Sequence, residues 1–133
     1  MTIMTKNELK NILHLDTLIN SNLKQLEELR SFKSVLPSLE VGDKVQSNKI
    51  SDTTFDYVAN IVNLENIINN DIDKLVELKL KAKREFKKLD IVYRTVMELR
   101  YLECKDWEEI SSEMAYSTQH IYKLHGEELE RIK

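Results

Sequence analysis

Glycine and proline are almost missing from this chain. It has two glycines, Gly42 and Gly126, and one proline, Pro37, in 133 residues. A sandwich or barrel needs a turn about every ten residues and draws on those residue types to make it, so an all-β fold is excluded. Cysteine is equally scarce. The single Cys104 has no internal partner, which excludes a disulfide scaffold and fits a reducing compartment. It reads as a small residue near a helix end, because reactive thiols sit in electropositive surroundings. Aromatic residues make up 7%, so the core has to be mainly aliphatic. No apolar run approaches the roughly 20 residues that span a bilayer. The stretch Met1-Thr2-Ile3-Met4-Thr5-Lys6 lacks the apolar segment and small-residue cleavage site of a secretory signal. A soluble cytoplasmic protein without a membrane partner is expected.

Nor does one sign of charge dominate. Lys and Arg total 20 against 23 Asp and Glu, a net charge of −3. That excludes a generically basic coat for nucleic acid; any such contact has to come from a local patch.

What is present is Leu and Ile at helical spacing in a background that is 32% charged, which predicts an almost wholly helical protein. Thr5 followed by Glu8 is a capping-box pattern that opens a first helix running to about Val35. Pro37 stops it, because the residue before proline is pushed out of the helical region. Leu9, Ile12, Ile19, Leu23 and Leu26 form its apolar stripe. Leu29, Phe32 and Val35 then step by three, which widens the stripe toward more than one neighbour. Residues 37–53 have no helical periodicity and read as a linker that reverses the chain. Asp52 or Thr53 caps a second helix. In it Ile61, Ile68, Leu75, Ala82 and Leu89 recur every seven residues, with Leu64 and Leu78 three further on, the seam of a coiled coil. Asp71 and Glu85 interrupt that seam. The expected architecture is all-α: a long, coiled-coil-like antiparallel helical hairpin and oligomerisation region over residues 1–88, then a separate helical domain over 89–133. A seam this long needs the first helix, a second copy of the chain, or both.

Between Lys79 and Lys88 six cations face one acid, Glu85. Such a run is a solvated helix surface or a phosphate-contacting stretch. In the second case Lys87 and Lys88, next to the tail domain, carry the contact.

In that tail, Val92, Val96, Leu99 and Leu102 make an inward stripe. Asp106 caps a short helix opening at Trp107, with Ile110 and Met114 inward. Ala115-Tyr116 make a turn, and Ser117 caps a last helix held by Ile121, Leu124, Leu129 and Ile132. Two short helices joined by so short a turn are how a helix-turn-helix is written: one helix supports, the other offers its N-terminal outward residues to the major groove of DNA. Those outward residues are Thr118, Gln119, His120, Tyr122, Lys123 and His125, with Ser117 at the helix start. Gln pairs with adenine, Lys reaches guanine, and Thr touches a thymine methyl or a phosphate.

The segment from about Asp90 to Lys133 resembles the C-terminal helix-turn-helix of bacterial sigma factors. The likeness rests on Leu99-Arg100-Tyr101 with Glu103, on Trp107-Glu108-Glu109-Ile110, and on Met114-Ala115-Tyr116-Ser117. The whole chain is similar to phage-encoded regulators of the ArpU and RinA type, through the phrase Tyr116-Ser117-Thr118-Gln119-His120-Ile121-Tyr122-Lys123-Leu124-His125-Gly126. The resemblance implies a transcription switch for late genes of a phage or prophage in a bacterial host cell. Cys104 and Ala115 stand where sigma factors usually carry glycine, which implies either a left-handed backbone at Ala115 or a different turn. Nothing in the chain resembles the sigma domain that melts promoters and grips polymerase.

Other residues read more simply. His120 and His125 are five apart with no Cys or acid at ligand spacing, so no metal site is expected. Trp107 opens an apolar stripe and reads as a core anchor rather than a nucleic-acid stacker. Tyr122 divides between packing and phosphate contact. Arg100 and Tyr101 suit a buried polar bridge between helices. Gly126 ends the helix, kinks it, or admits a close neighbour. No paired carboxylates, nucleophile-base set or cofactor loop appears, so neither an enzyme nor a cofactor is expected. The reading favoured is a sequence-specific regulator that binds double-stranded DNA as a dimer. The alternatives are a phage packaging component, such as a small terminase subunit, and a sigma-like module that binds RNA polymerase without DNA.

Overall fold

The computed structural model describes the backbone of residues 4–33 and 47–132, and the side chains of 4–32 and 53–132. The helices are α1 (Lys6–Lys33), α2 (Ser47–Phe86), α3 (Ile91–Met97), α4 (Trp107–Met114) and α5 (Thr118–Arg131). One π-helical turn, Glu98–Leu102, continues α3. No strand occurs among the described residues, as the scarcity of turn formers predicts.

Helix α2 begins at Ser47, earlier than the Asp52 or Thr53 expected. Residues 47–53, assigned above to the linker, are therefore helical. Pro37 and Gly42 both precede Ser47, and nothing in Ser47-Asn48-Lys49-Ile50-Ser51 breaks a helix, so propagation toward the N-terminus costs little once the nucleus exists. The rest of that linker, and the expected end of the first helix at Val35, lie outside the described residues.

The chain divides into two compact units, residues 1–16 with 73–133, and residues 17–72. The expected boundary at 88/89 falls inside the first. In that unit the capping box forms as read: Thr5 N–H donates to Glu8 Oε1 at 3.0 Å, and Glu8 N–H donates to Thr5 Oγ1 at 3.1 Å. The cap sets Met4, Leu9 and Ile12 into a core with Ala82, Phe86, Met97 and Tyr101. Leu129 and Ile132 from the end of the chain pack on the same cluster. Burying each large apolar side chain fully contributes about 1.5–3 kcal/mol. Helix α2 stops at Phe86 through a tight turn in which the Leu89 amide donates to the Phe86 carbonyl at 3.1 Å, and Asp90 leads into α3 with an extended backbone. A second core in this unit joins Val96, Leu99, Ile110, Ile121 and Leu124, with Val92, Tyr93, Trp107, Met114 and Tyr116 against it.

In the other unit, Leu26 of α1 packs on Ile61 and Ile68 of α2, with Leu29, Tyr57 and Leu64 around them. Arg30 bonds Glu65 at 2.7 Å and Phe32 stacks on Tyr57 at 5.4 Å, so the two helices run antiparallel here. Ile61, Ile68 and Ala82 of the expected seam are buried; Leu64, Leu75, Leu78 and Leu89 are half-buried, as are the interrupting Asp71 and Glu85. Leu23 is 43% exposed, contrary to its place on the α1 stripe. The buried face turns from Leu26 toward Leu29 and leaves Leu23 on its outer side.

Candidate nucleic-acid interface

Helix α4 starts at Asp106, whose Oδ1 accepts from the Glu109 amide at 2.8 Å, while the Glu109 side chain returns to the Asp106 amide at 3.3 Å. This reciprocal cap, with acids in the first turn, stabilises the positive end of the helix. Helix α4 ends at Ala115 in the left-handed conformation, φ 58° and ψ 36°, the backbone that the glycine-like position demands. Cys104 adopts φ 55° at the preceding corner. Ser111 Oγ donates to the Tyr116 carbonyl and closes the turn. Ser117 Oγ then accepts from the His120 amide at 3.1 Å and caps α5.

Ile121 and Leu124 hold α5 against the core. Gln119, His120, Tyr122 and Lys123 are exposed on its other side; Ser117 is exposed and Thr118 half-buried. His120 meets Tyr116 edge-on at 4.9 Å. All seven tail residues read as outward therefore lie at the surface or partly at it, Thr118 and His125 being half-buried.

His125 differs from the other six in its partners. Its Nε2 lies 2.6 Å from the Tyr101 hydroxyl, its ring stacks on Tyr101 at 5.7 Å, and it meets Trp107 edge-on at 4.6 Å. It turns toward Tyr101, because it stands one turn beyond the buried Ile121 on the same face of α5. Burial, with the Arg100 guanidinium nearby, pushes its imidazole down to about 4. Burial pushes the Tyr101 phenol up to about 12. Both groups are neutral at pH 7, which suits a hydroxyl donating to a ring nitrogen. Arg100 stacks over Trp107, 4.3 Å from the ring centre, and Nη1 donates to the Lys105 carbonyl at 2.9 Å. Tyr122 meets the Trp107 ring edge-on at 5.2 Å. Arg100 and Tyr101 are thus the polar bridge that their sequence position suggested. Trp107 is a half-buried anchor. The support that Arg100, Trp107 and His125 build under α5 was not legible, since its members are scattered over twenty-five residues.

Helix α5 runs through Gly126 to Arg131 without ending there, and a methyl group built on Gly126 meets nothing within 4 Å. Beyond it Glu128 is buried and accepts from Arg131 at 3.1 Å, and the Tyr93 hydroxyl bonds Glu127. On α4, Glu113 pairs with Lys105 and raises the Lys105 ammonium above its usual range. From Asp106 to Lys133 seven acids stand against three Lys and Arg, and four of them have local partners: Glu109, Glu113, Glu127 and Glu128.

The basic run sorts in the same way. Lys81 pairs with Glu8 at 2.7 Å and Lys79 is half-buried. Lys88 reaches Glu85 at 3.4 Å but its side chain stays 69% exposed. Lys83, Arg84 and Lys87 are exposed. Burial pushes the Cys104 thiol up, and its Sγ lies 3.8 Å from the Tyr101 carbonyl, the setting of an inert thiol. Among the described residues no group of His, Cys, Asp and Glu is placed to hold a metal ion, and no helix is long and apolar enough to cross a membrane. No family model, curated protein or solved structure matches the chain.

Proposed function

We propose that α4 and α5 form a helix-turn-helix and that the protein is a sequence-specific, double-stranded-DNA-binding regulator of transcription, not an enzyme. It acts as a dimer on phage or prophage genes, late ones by its resemblance to the ArpU and RinA type, in the bacterial cytoplasm. The observation that carries this reading is the row Gln119, Tyr122 and Lys123, exposed on a helix whose opposite side, Ile121 and Leu124, is buried. With the helix start capped by Ser117, Gln119 and Lys123 stand exposed at the N-terminal end beside Tyr122, whose ring leans on Trp107; this end is the part of a recognition helix that meets base edges. Gln119 offers the paired donor and acceptor that adenine requires, and Lys123 a donor for guanine. Lys83, Arg84, Lys87 and Lys88 supply phosphate contacts.

The test is binding of the full chain to DNA upstream of its own gene cluster and to a scrambled duplex. Gln119→Ala costs about 1–3 kcal/mol on the preferred site and little on the scrambled one. Equal loss on both removes base reading. A second reading, a sigma-like module that binds RNA polymerase alone, is favoured by the acids of the tail. Capture of polymerase with no shift of any DNA establishes it. Ring-sized assemblies point instead to a packaging component.

A further inference from the structure

Helix α2 carries a second apolar stripe besides the one it buries. Phe55 is 73% exposed, Val62 46% and Ile72 38%, with Val58 half-buried. Phe55, Val62 and Asn69 are seven apart, and Val58 and Ile72 stand three beyond Phe55 and Asn69. These are the a and d positions of a heptad whose phase is one residue ahead of the buried series Ile61, Ile68. The d position between them, Glu65, is turned aside to Arg30 of α1. The stripe covers about 26 Å of helix at 1.5 Å per residue, and the next a position in the sequence is Val76. A helix with two heptad faces about a third of a turn apart is built for two helical partners, and among the described residues α1 occupies one of them.

Asn69 decides what the second partner is. A lone asparagine at an a position is satisfied when the same residue of an identical, parallel helix meets it across a two-fold axis. Against any other apolar face its amide is buried without a partner. We infer that this face of α2 is the dimer interface of the chain: two copies pair in parallel and in register along Phe55, Val62, Asn69 and Ile72, with Asn69 bonded to its counterpart. The inference deepens the dimer of the proposed function but rests on α2 alone, so its readout needs no DNA.

Sedimentation equilibrium of the full chain at tens of micromolar gives twice the 15.7 kDa chain mass. Val62→Glu leaves the helix content by circular dichroism unchanged, since Val62 is already half in water, and weakens self-association at least tenfold. Asn69→Val strengthens association or raises the oligomer number. In a Cys104→Ser background, Phe55→Cys and Asn69→Cys chains each crosslink to themselves on mild oxidation. A monomer at these concentrations overturns the inference, whatever the DNA result. So does a dimer indifferent to Val62→Glu. Crosslinking by Asn69→Cys without Phe55→Cys overturns the parallel register, because an antiparallel pair holds the two Phe55 positions some 40 Å apart.

Discussion

The hydroxyl of Tyr101 lies 2.6 Å from Nε2 of His125, and the two rings stack at 5.7 Å. Tyr101 belongs to the core made with α1 and α2, whereas the neighbour on the other side of His125 is Trp107, of the core that carries α5. One imidazole thus ties the candidate reading helix to both cores of its unit.

That placement gives the unit an acid-sensitive point. In the unfolded chain His125 takes its proton near the ordinary value of about 6.5; in the folded chain it does so at about 4. Between those values the unfolded state holds more protons, so stability is full above about 6.5 and falls as the pH drops toward 4. Urea midpoints measured across this window show the slope. His125→Phe flattens it. Tyr101→Phe does not, because burial rather than the hydroxyl is the main cause of the shift. Trp107 is the sole tryptophan and sits 4.6 Å from the imidazole, so its fluorescence in the folded protein changes with a midpoint near 4.

Two opposite substitutions both stabilise. Ala115 holds φ 58°, a conformation that costs an L residue about 1–2 kcal/mol and glycine almost nothing. After the extra freedom of glycine in the unfolded chain is allowed for, Ala115→Gly gains about 0.5–1 kcal/mol. Gly126 lies inside α5 with open space where a methyl would go, so Gly126→Ala gains about 1 kcal/mol. Each raises the melting temperature by about 2–5 °C. Cys104→Gly gains less than Ala115→Gly, because the Cys104 side chain packs against the Met4 and Tyr101 cluster.

The lysines of α2 separate by salt dependence. Lys83→Gln and Lys87→Gln each lower the slope of log binding constant against log salt by about 1 and leave the melting temperature in place. Lys81→Gln does the reverse: it releases Glu8 from its 2.7 Å pair, lowers stability by up to about 1 kcal/mol, and leaves the salt slope alone. Titrating DNA affinity against potassium chloride for the three variants distinguishes them.

Much of the backbone was legible because its causes are local. The Thr5–Glu8 box and the Asp106 and Ser117 caps each involve residues no more than a few positions apart, so residue types alone fix which hydrogen bonds can form; the left-handed Ala115 followed from the sigma-factor resemblance, and the return bond from Glu109 to Asp106 was not read. The seven-residue series through Ile61, Ile68 and Ala82 was legible for the same reason: period follows from helix geometry. The start of α2 was misjudged because polar residues with tolerable helix propensity give no boundary signal when the breakers lie further upstream. His125 stands four residues after Ile121, on the same face of α5, so periodicity already turns it away from the outward row; that Tyr101 and Trp107 come to meet it there was not legible.

By itself, then, the sequence determined an all-helical chain, its caps and one buried seam, all properties of a helix and its ends. Only the tertiary structure decided that Met4 and Ile132 share a core region, that Arg100 lies on Trp107, that His125 turns inward to Tyr101, and that Lys81 is tied to Glu8 while Lys83 and Lys87 stay in water. The reason is range. A cap or a period is set within one helix, but which side chain loses its water depends on segments more than a hundred residues apart in sequence, such as those of Met4 and Ile132, that meet only when the chain has folded.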